Sequence, residues 1–380
     1  MNIRLLTVIV CLLLTDSAQA LLDFQTNKIT AKWTGRFLAD IAWYDENSSV
    51  SLGDGTHVRS LRLGAKGELC PICNYKAEVD FAKGDVSIRN ALISLEPQEH
   101  YQLNIGHFKP PVSLEFLTSS LHITFLERAL PNVFVTDRRL GVGVDYSTEL
   151  KGSNFFTLSL GGFGENANEN NDEGNEGYHS SIRTSLGHHN PQNCLSVIGA
   201  SLSYTRTNHE NTIRYRAIPE SSVTDTRLVD TGLINAARDT WLTVAEMAFQ
   251  LKRWSIQGEY FHNVVHRRNA PSLHFNGYYA YASYFITGDN RPFSIHYSKF
   301  SRVEPHLPWG ALELALRYSY LNLNDRDIQG GHEHNVTCGV NWYLNPYLRF
   351  LANIIFADAN QRGVVSKPTI FTVRAQFDFG

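Results

Sequence analysis

Five arginines, Arg36, Arg62, Arg317, Arg349 and Arg374, fall on the polar side of segments whose residues alternate with period two. A guanidinium fork holds a carboxylate or a phosphate through two parallel N–H···O bonds, so such a set can brace a wall or retain a passing anion. The same parity carries Asp40, Glu68, Glu78, Asp80, Asp145 and Glu313, so the charged face is mixed rather than purely basic. A second chemical feature is Cys70-Pro71-Ile72-Cys73. A zinc centre needs two such pairs, and one is present. Because Cys70 and Cys73 flank a hairpin turn rather than a helix start, a local disulfide is expected over thioredoxin-like chemistry. The acidic stretch 165–177 lacks the spacing of a calcium loop. His188-His189 and His332-Glu333-His334 read as solvated loop histidines. No G-x-S-x-G, P-loop or dinucleotide fingerprint occurs, so no enzyme, metal or cofactor is expected.

The elements that must position these residues are strands. In residues 29–44, Ile29, Ala31, Trp33, Gly35, Phe37, Ala39, Ile41 and Trp43 lie on one face, and Thr30, Lys32, Thr34, Arg36, Leu38, Asp40, Ala42 and Tyr44 on the other. A strand sorts residues this way and a helix does not. The rhythm recurs to the C-terminus, where Phe371, Val373, Ala375, Phe377 and Phe379 oppose Thr372, Arg374, Gln376 and Asp378. Charges in the middle of many long strands suit a transmembrane antiparallel β-barrel, whose two faces meet lipid and water. Aromatics at strand ends, such as Trp43-Tyr44 and Trp342-Tyr343, suit interfacial girdles. Connections alternate between short ones (71–74, 96–100, 151–153, 252–254, 345–346) and long ones (45–57, 109–137, 165–177, 208–239, 359–367). The count is 16 strands, with 288–309 taken as a long turn on the short-turn side.

Composition agrees. The 380 residues are 19% charged, 43% hydrophobic and 12% aromatic, with 17 Tyr and 21 Phe. The charged fraction is below the roughly 25% of soluble domains. The first 20 residues, with Arg4, the apolar run Leu5 to Leu14 and Ala18-Gln19-Ala20, read as a cleaved signal peptide, leaving 21–380 as one barrel domain. The mature chain has no apolar run long enough for a spanning helix. A net charge of −3 selects no nucleic-acid partner.

The densest motif is Gly106-His107-Phe108-Lys109-Pro110-Pro111, continued by Ser119-Ser120, Thr124-Phe125-Leu126-Glu127-Arg128 and Asp137-Arg138-Arg139-Leu140-Gly141-Val142. Further stretches are Arg214-Tyr215-Arg216-Ala217-Ile218-Pro219-Glu220 with Leu228-Val229-Asp230-Thr231-Gly232, Ser283-Tyr284-Phe285-Ile286-Thr287-Gly288, and Gly339-Val340-Asn341-Trp342-Tyr343-Leu344-Asn345-Pro346. In this order they resemble the phosphate-selective porin O/P family of Gram-negative outer membranes. The resemblance implies a 16-stranded homotrimeric barrel among outer-membrane lipids. It also implies that a long third loop folds into the lumen and that small anions, phosphate or polyphosphate, diffuse through a constriction lined by Arg and Lys. Carried over by position, Lys109 opens that loop, Ser119 and Ser120 supply hydroxyls, and Arg128, Arg138 and Arg139 supply cations. Arg214, Arg216 and Arg227 fall in the matched fifth-loop stretch. Asn90-Ala91 departs from the Asp-Ala usual in the family, which leaves a general porin, or a structural or adhesive surface barrel, as alternatives.

Overall fold

A computed structural model describes residues 29–380 apart from 46–50, 83, 169–176, 191–193 and 209. The expected signal peptide and most of the acidic stretch 165–177 lie outside the described residues. Sixteen long strands form one closed antiparallel sheet, and a short seventeenth, Val364–Ser366, pairs at the rim with residues 359–361. They are β1 (Lys32–Asp45), β2 (Gly55–Cys70), β3 (Cys73–Asp80), β4 (Ser87–Gln98), β5 (Tyr101–Phe108), β6 (Arg139–Leu150), β7 (Asn154–Phe163) and β8 (Tyr178–Asn190). The rest are β9 (Cys194–Arg206), β10 (Ala237–Leu251), β11 (Trp254–Arg267), β12 (Ala270–Phe285), β13 (Ala311–Asp325), β14 (Ile328–Tyr343), β15 (Leu348–Gln361) and β16 (Thr369–Phe379). Each pairs with its sequence neighbour, and β1 closes the ring on β16 from Gly35↔Phe379 to Asp45↔Thr369. Closure leaves no unpaired strand edge, which a bilayer would penalise by several kcal/mol per unsatisfied group.

Burial runs opposite to that of a soluble sheet. The apolar parity of β1 is open, with Trp33 73% exposed, whereas Arg317 and Glu313 of β13 are fully enclosed. The outer face therefore suits lipid and the polar parity faces inward. Outward aromatics pair at the rims, with Trp254 and Tyr284 4.7 Å apart and Tyr204 and Trp241 4.9 Å apart between ring centroids.

The inner wall holds a surprise. On β10–β16 it carries an apolar cluster, including Val244, Phe261, Phe275, Leu321 and Ile355. Against it pack Val112, Phe125, Leu130 and Phe134 of the third loop and Tyr215, Val229 and Ile234 of the fifth. Alternation alone assigns this wall to water; the loops instead bury it.

The segment 286–310 adds no barrel strand. Its Phe293–Ser294 and Lys299–Phe300 pair only with each other, so the ring stays at sixteen. Three details depart from the sequence reading. His188 and His189 lie in β8, and His332 and His334 in β14, rather than in loops. Cys194 begins β9 rather than lying in a turn. Cys70 and Cys73 face each other in register across the two-residue turn, yet the expected disulfide is absent and both thiols are free.

Candidate functional site

The inward rows of β1–β3 bring charges side by side. Asp378 of β16, Arg36, Arg62 and Asp80 lie opposite one another on four successive strands. Arg62 donates from Nε to Asp80 at 2.7 Å. Arg36 instead donates to hydroxyls of the third loop, Ser120 at 2.9 Å and Ser119 at 3.3 Å. Among the described residues it forms no ion pair.

Two β-bulges add cations that strict alternation hides. Between Leu38↔Ser60 and Ala39↔Val58, β2 carries one extra residue, Arg59. Between Glu78↔Asn90 and Val79↔Ile88, β4 carries one extra residue, Arg89. A bulge re-aims a side chain, and both arginines turn inward. Arg59 clasps Glu127 at 2.7 and 3.1 Å. Arg89 reaches Asp80 and Asp137, each at 3.4 Å. Arg138 pairs with Asp137 at 3.2 Å and donates to Asn90 Oδ1 at 3.3 Å. Asn90 in turn donates to Glu78, which also pairs with Lys76 at 3.2 Å. Burial opposes ionisation of Asp137, but Arg138, Arg89 and Lys109 together outweigh it and hold the carboxyl at about 2.

A different group of arginines holds the third loop, residues 109–138. Arg349 donates to the carbonyls of Ile123 at 2.9 Å and Thr124 at 3.1 Å. Arg374 forks onto Asp40 at 2.6 and 2.7 Å and reaches Glu127 at 2.8 Å. Arg317 pairs with Glu220 at 2.6 Å, donates to the Glu127 carbonyl at 2.9 Å and lies 4.3 Å from the Phe125 ring centre. Burial alone would raise the Glu127 carboxyl, yet Arg59 and Arg374 hold it well below the usual carboxylate range. Near the start of the loop, Glu259 of β11 accepts from Leu114 N at 2.6 Å, Ser113 Oγ at 2.9 Å and Glu115 N at 3.2 Å. It thereby caps the helical turn Leu114–Leu117.

Lys109 and Arg128 both converge on Phe116. Lys109 donates to its carbonyl and lies 4.6 Å from its ring centre. Arg128 donates to the carbonyls of Glu115, Phe116 and Thr118 at 3.1, 3.2 and 2.9 Å. Burial, reinforced by Arg128 and Arg138, pushes the Lys109 ammonium well below its ordinary value. Arg139 donates to the Gly164 carbonyl at 3.1 Å. In the fifth loop Arg214 forks onto Asp230 at 2.8 and 3.1 Å, while Arg216 is exposed and Arg227 half-buried.

The structure thus divides the expected residues. Arg317, Arg349 and Arg374 are enclosed by carboxylates, carbonyls and an aromatic ring. Arg36 with Arg62, and Arg138 with Arg89, gather on the β1–β6 side with Ser119 and Ser120. Side-chain exposure follows that division except at Arg62, which is 9% exposed against Asp80: it is 41% for Lys76, 23% for Arg89 and 13% for Arg138, against 0% for Arg317 and 1% for Arg374. This arrangement can offer N–H donors to an oxyanion along one side of the barrel.

Comparison with known proteins agrees with the fold. An uncharacterized protein of Caulobacter vibrioides is 30% identical over 351 residues, covering 87% of this chain and 69% of that one. Porin O of Pseudomonas aeruginosa is 23% identical over 371 residues, covering 87% and 83%. An anion-selective porin from Comamonas acidovorans superposes with a TM-score of 0.56 at 12% identity, covering 92% of this chain and all of that one, a likeness of fold alone. The family model for phosphate-selective porins O and P matches residues 32–379, and the chain belongs to that family of outer-membrane channels.

Proposed function

We propose that this channel passes small anions, with phosphate and polyphosphate as preferred solutes, by passive diffusion. The carrying observation is the unevenness of the inner wall. On β10–β16 the arginines are tied to the third and fifth loops. On β1–β6 the cations Arg36, Lys76, Arg89 and Arg138 stay partly open beside two loop hydroxyls, while Arg62 is buried against Asp80. The third loop, fastened across this barrel by Arg349, Arg374 and Arg317, narrows the route and presses it against the cationic side. Guanidinium and hydroxyl donors exchange with the hydration shell of an oxyanion, and mixed carboxylates keep that binding weak enough for release. Lys109 and Arg128 act through the loop, by fixing the carbonyls around Phe116, and Arg128 also adds to its positive potential. Arg216 and Arg227 draw anions toward the long-loop mouth.

The protein resides in the Gram-negative outer membrane after cleavage of residues 1–20, and it assembles as a homotrimer among outer-membrane lipids. A general porin is the second reading, favoured by Glu78, Asp80 and Asp137 on the same side and by Asn90. Single channels in a planar bilayer separate the two. A chloride current reduced by added phosphate supports the phosphate reading. An anion-selective current indifferent to phosphate supports the general porin.

A further inference from the structure

Toward the long-loop end, one outer side of the barrel is polar. On β11–β15 the outward residues His262, Asn276, Asn322, His332 and Asn360 are successive register partners. Their chain neighbours Phe261, Phe275, Leu321, Glu333 and Ala359 are enclosed, which fixes the outward parity. One row nearer the short turns, Tyr278, Tyr320 and His334 are partnered in the same way. Ring centres there lie 5.3 Å apart from Tyr278 to Tyr320 and 4.7 Å from Tyr320 to His334. His334 Nδ1 is bonded to the Tyr318 hydroxyl at 2.6 Å. Elsewhere the long-loop end is apolar outside: Trp43 stacks on Phe371 at 5.5 Å, and Phe81 and Ile88 are exposed.

Depth decides what can meet these groups. His262 lies eight residues from Trp254, Asn276 eight from Tyr284 and His332 ten from Trp342, and those three aromatics belong to the short-turn girdle. At about 3.3 Å per residue and a tilt of about 40°, these separations are about 20 to 25 Å of height. The apolar band of such a barrel is about 25 Å tall, so the polar rows sit at its outer edge, at the level of the outer-leaflet headgroups. Asn322 and Asn360 use Oδ1 on local backbone, accepting from Asn324 N and Gly363 N at 3.1 Å each. Their amide N–H groups have no acceptor among the described residues. Acyl chains offer none, whereas sugar hydroxyls and phosphate oxygens do.

Charge narrows the occupant further. Beyond the rows, three turns carry exposed arginines: Arg268 between β11 and β12, Arg326 between β13 and β14, and Arg362 after β15. The neighbouring acids are engaged. Asp327 is forked by Arg267 with both bonds at 2.7 Å, Asp358 pairs with Lys367 at 2.8 Å, and Asp325 accepts from His274 N at 2.8 Å. Arg268 and Arg362 form no ion pair among the described residues, and Arg326 comes only to 4.0 Å from Asp325. Cationic turns above a face of neutral donors and tyrosine rings complement an anionic, hydroxyl-rich headgroup.

We propose that the outward face of β11–β15, beneath Arg268, Arg326 and Arg362, is a docking surface for the phosphorylated sugar headgroup of an outer-leaflet glycolipid. Five strands about 4.8 Å apart make this face about 19 Å wide, which suits a disaccharide headgroup carrying several chains better than one two-chain phospholipid. The arginines hold its phosphates, the Asn and His side chains its hydroxyls, and the tyrosine rings the apolar faces of its sugars. The surface lies outside the pore, so the inference is independent of which solutes the channel passes.

The test uses the full barrel in detergent, titrated with hexa-acyl lipid A, a phosphorylated glucosamine disaccharide, or with phosphatidylglycerol, and read by native mass spectrometry. Wild type is expected to bind lipid A at least about tenfold more tightly than phosphatidylglycerol. The variant R268Q/R326Q/R362Q is expected to weaken lipid A binding by about tenfold or more. The variant N276L/N322L/H332L is expected to lose the preference for lipid A. Single-channel conductance stays at the wild-type value in both, which verifies an intact barrel. If the second variant does not fold, the first alone decides. Equal binding of the two lipids by wild type, or undiminished lipid A binding by R268Q/R326Q/R362Q, overturns the proposal. So does a change in the number of chains per particle in a variant, which assigns this face to a second copy of the chain.

Discussion

Arg36→Gln removes the least compensated cation of the proposed site. Its present contacts are the hydroxyls of Ser119 and Ser120, and no carboxylate comes within ion-pair distance among the described residues. For an anion passing about 5 Å away, one charge contributes about 0.8 kcal/mol in a water-like lumen and about 3 kcal/mol at an effective dielectric constant of about 20. These correspond to roughly fourfold and 150-fold in local anion affinity. Asp378 and Glu78 add opposing charge nearby, so the lower part of that range applies. The expected result is a fall of roughly fourfold to tenfold in anion-over-cation permeability. It is read as a shift of the zero-current potential in a KCl gradient. The serine hydroxyls revert to water, so the barrel keeps its unfolding midpoint. An unchanged potential in a folded variant would refute the assignment of Arg36 to the ion path.

Arg317→Gln has the opposite profile. It leaves Glu220 without its enclosed partner, costing about 3 kcal/mol of stability in a denaturant titration and leaving reversal potential nearly unchanged; a stable variant with altered selectivity contradicts the bracing role. Asn90→Asp places a carboxylate beside Arg138, lowering chloride conductance while strengthening phosphate block, because monobasic phosphate can donate O–H to a carboxylate and chloride cannot. Equal effects on the two ions speak against that reasoning. Cys70 and Cys73, thiols in this structure but direct register partners, are expected to close a disulfide when oxidised in the periplasm and then to resist alkylation until reduced. Immediate double alkylation shows that the thiols stay free.

The barrel was readable from sequence because period two survives wherever one face meets lipid, as from Trp33 to Trp43 and from Phe371 to Phe379. The pattern weakens where both faces are apolar. Val244, Phe261 and Phe275 point inward under the loops, and nothing local marks them as covered. Arg59 and Arg89 escaped because an extra residue in each strand shifts the parity that exposes the others. Side-chain type also fails to separate tasks. Arg36 and Arg374 share a face and a row spacing, yet one meets serine hydroxyls and the other a carboxylate fork supplied by Asp40. Those partners come from residues about 80 and 330 positions away, so only the assembled barrel reveals them.

The zero-current potential of the wild-type channel across a KCl gradient, followed by addition of inorganic phosphate, bears most directly on the central claim. An anion-signed potential and a chloride current that falls as phosphate is added are the predicted results. A cation-signed potential with a chloride current indifferent to phosphate would contradict the account.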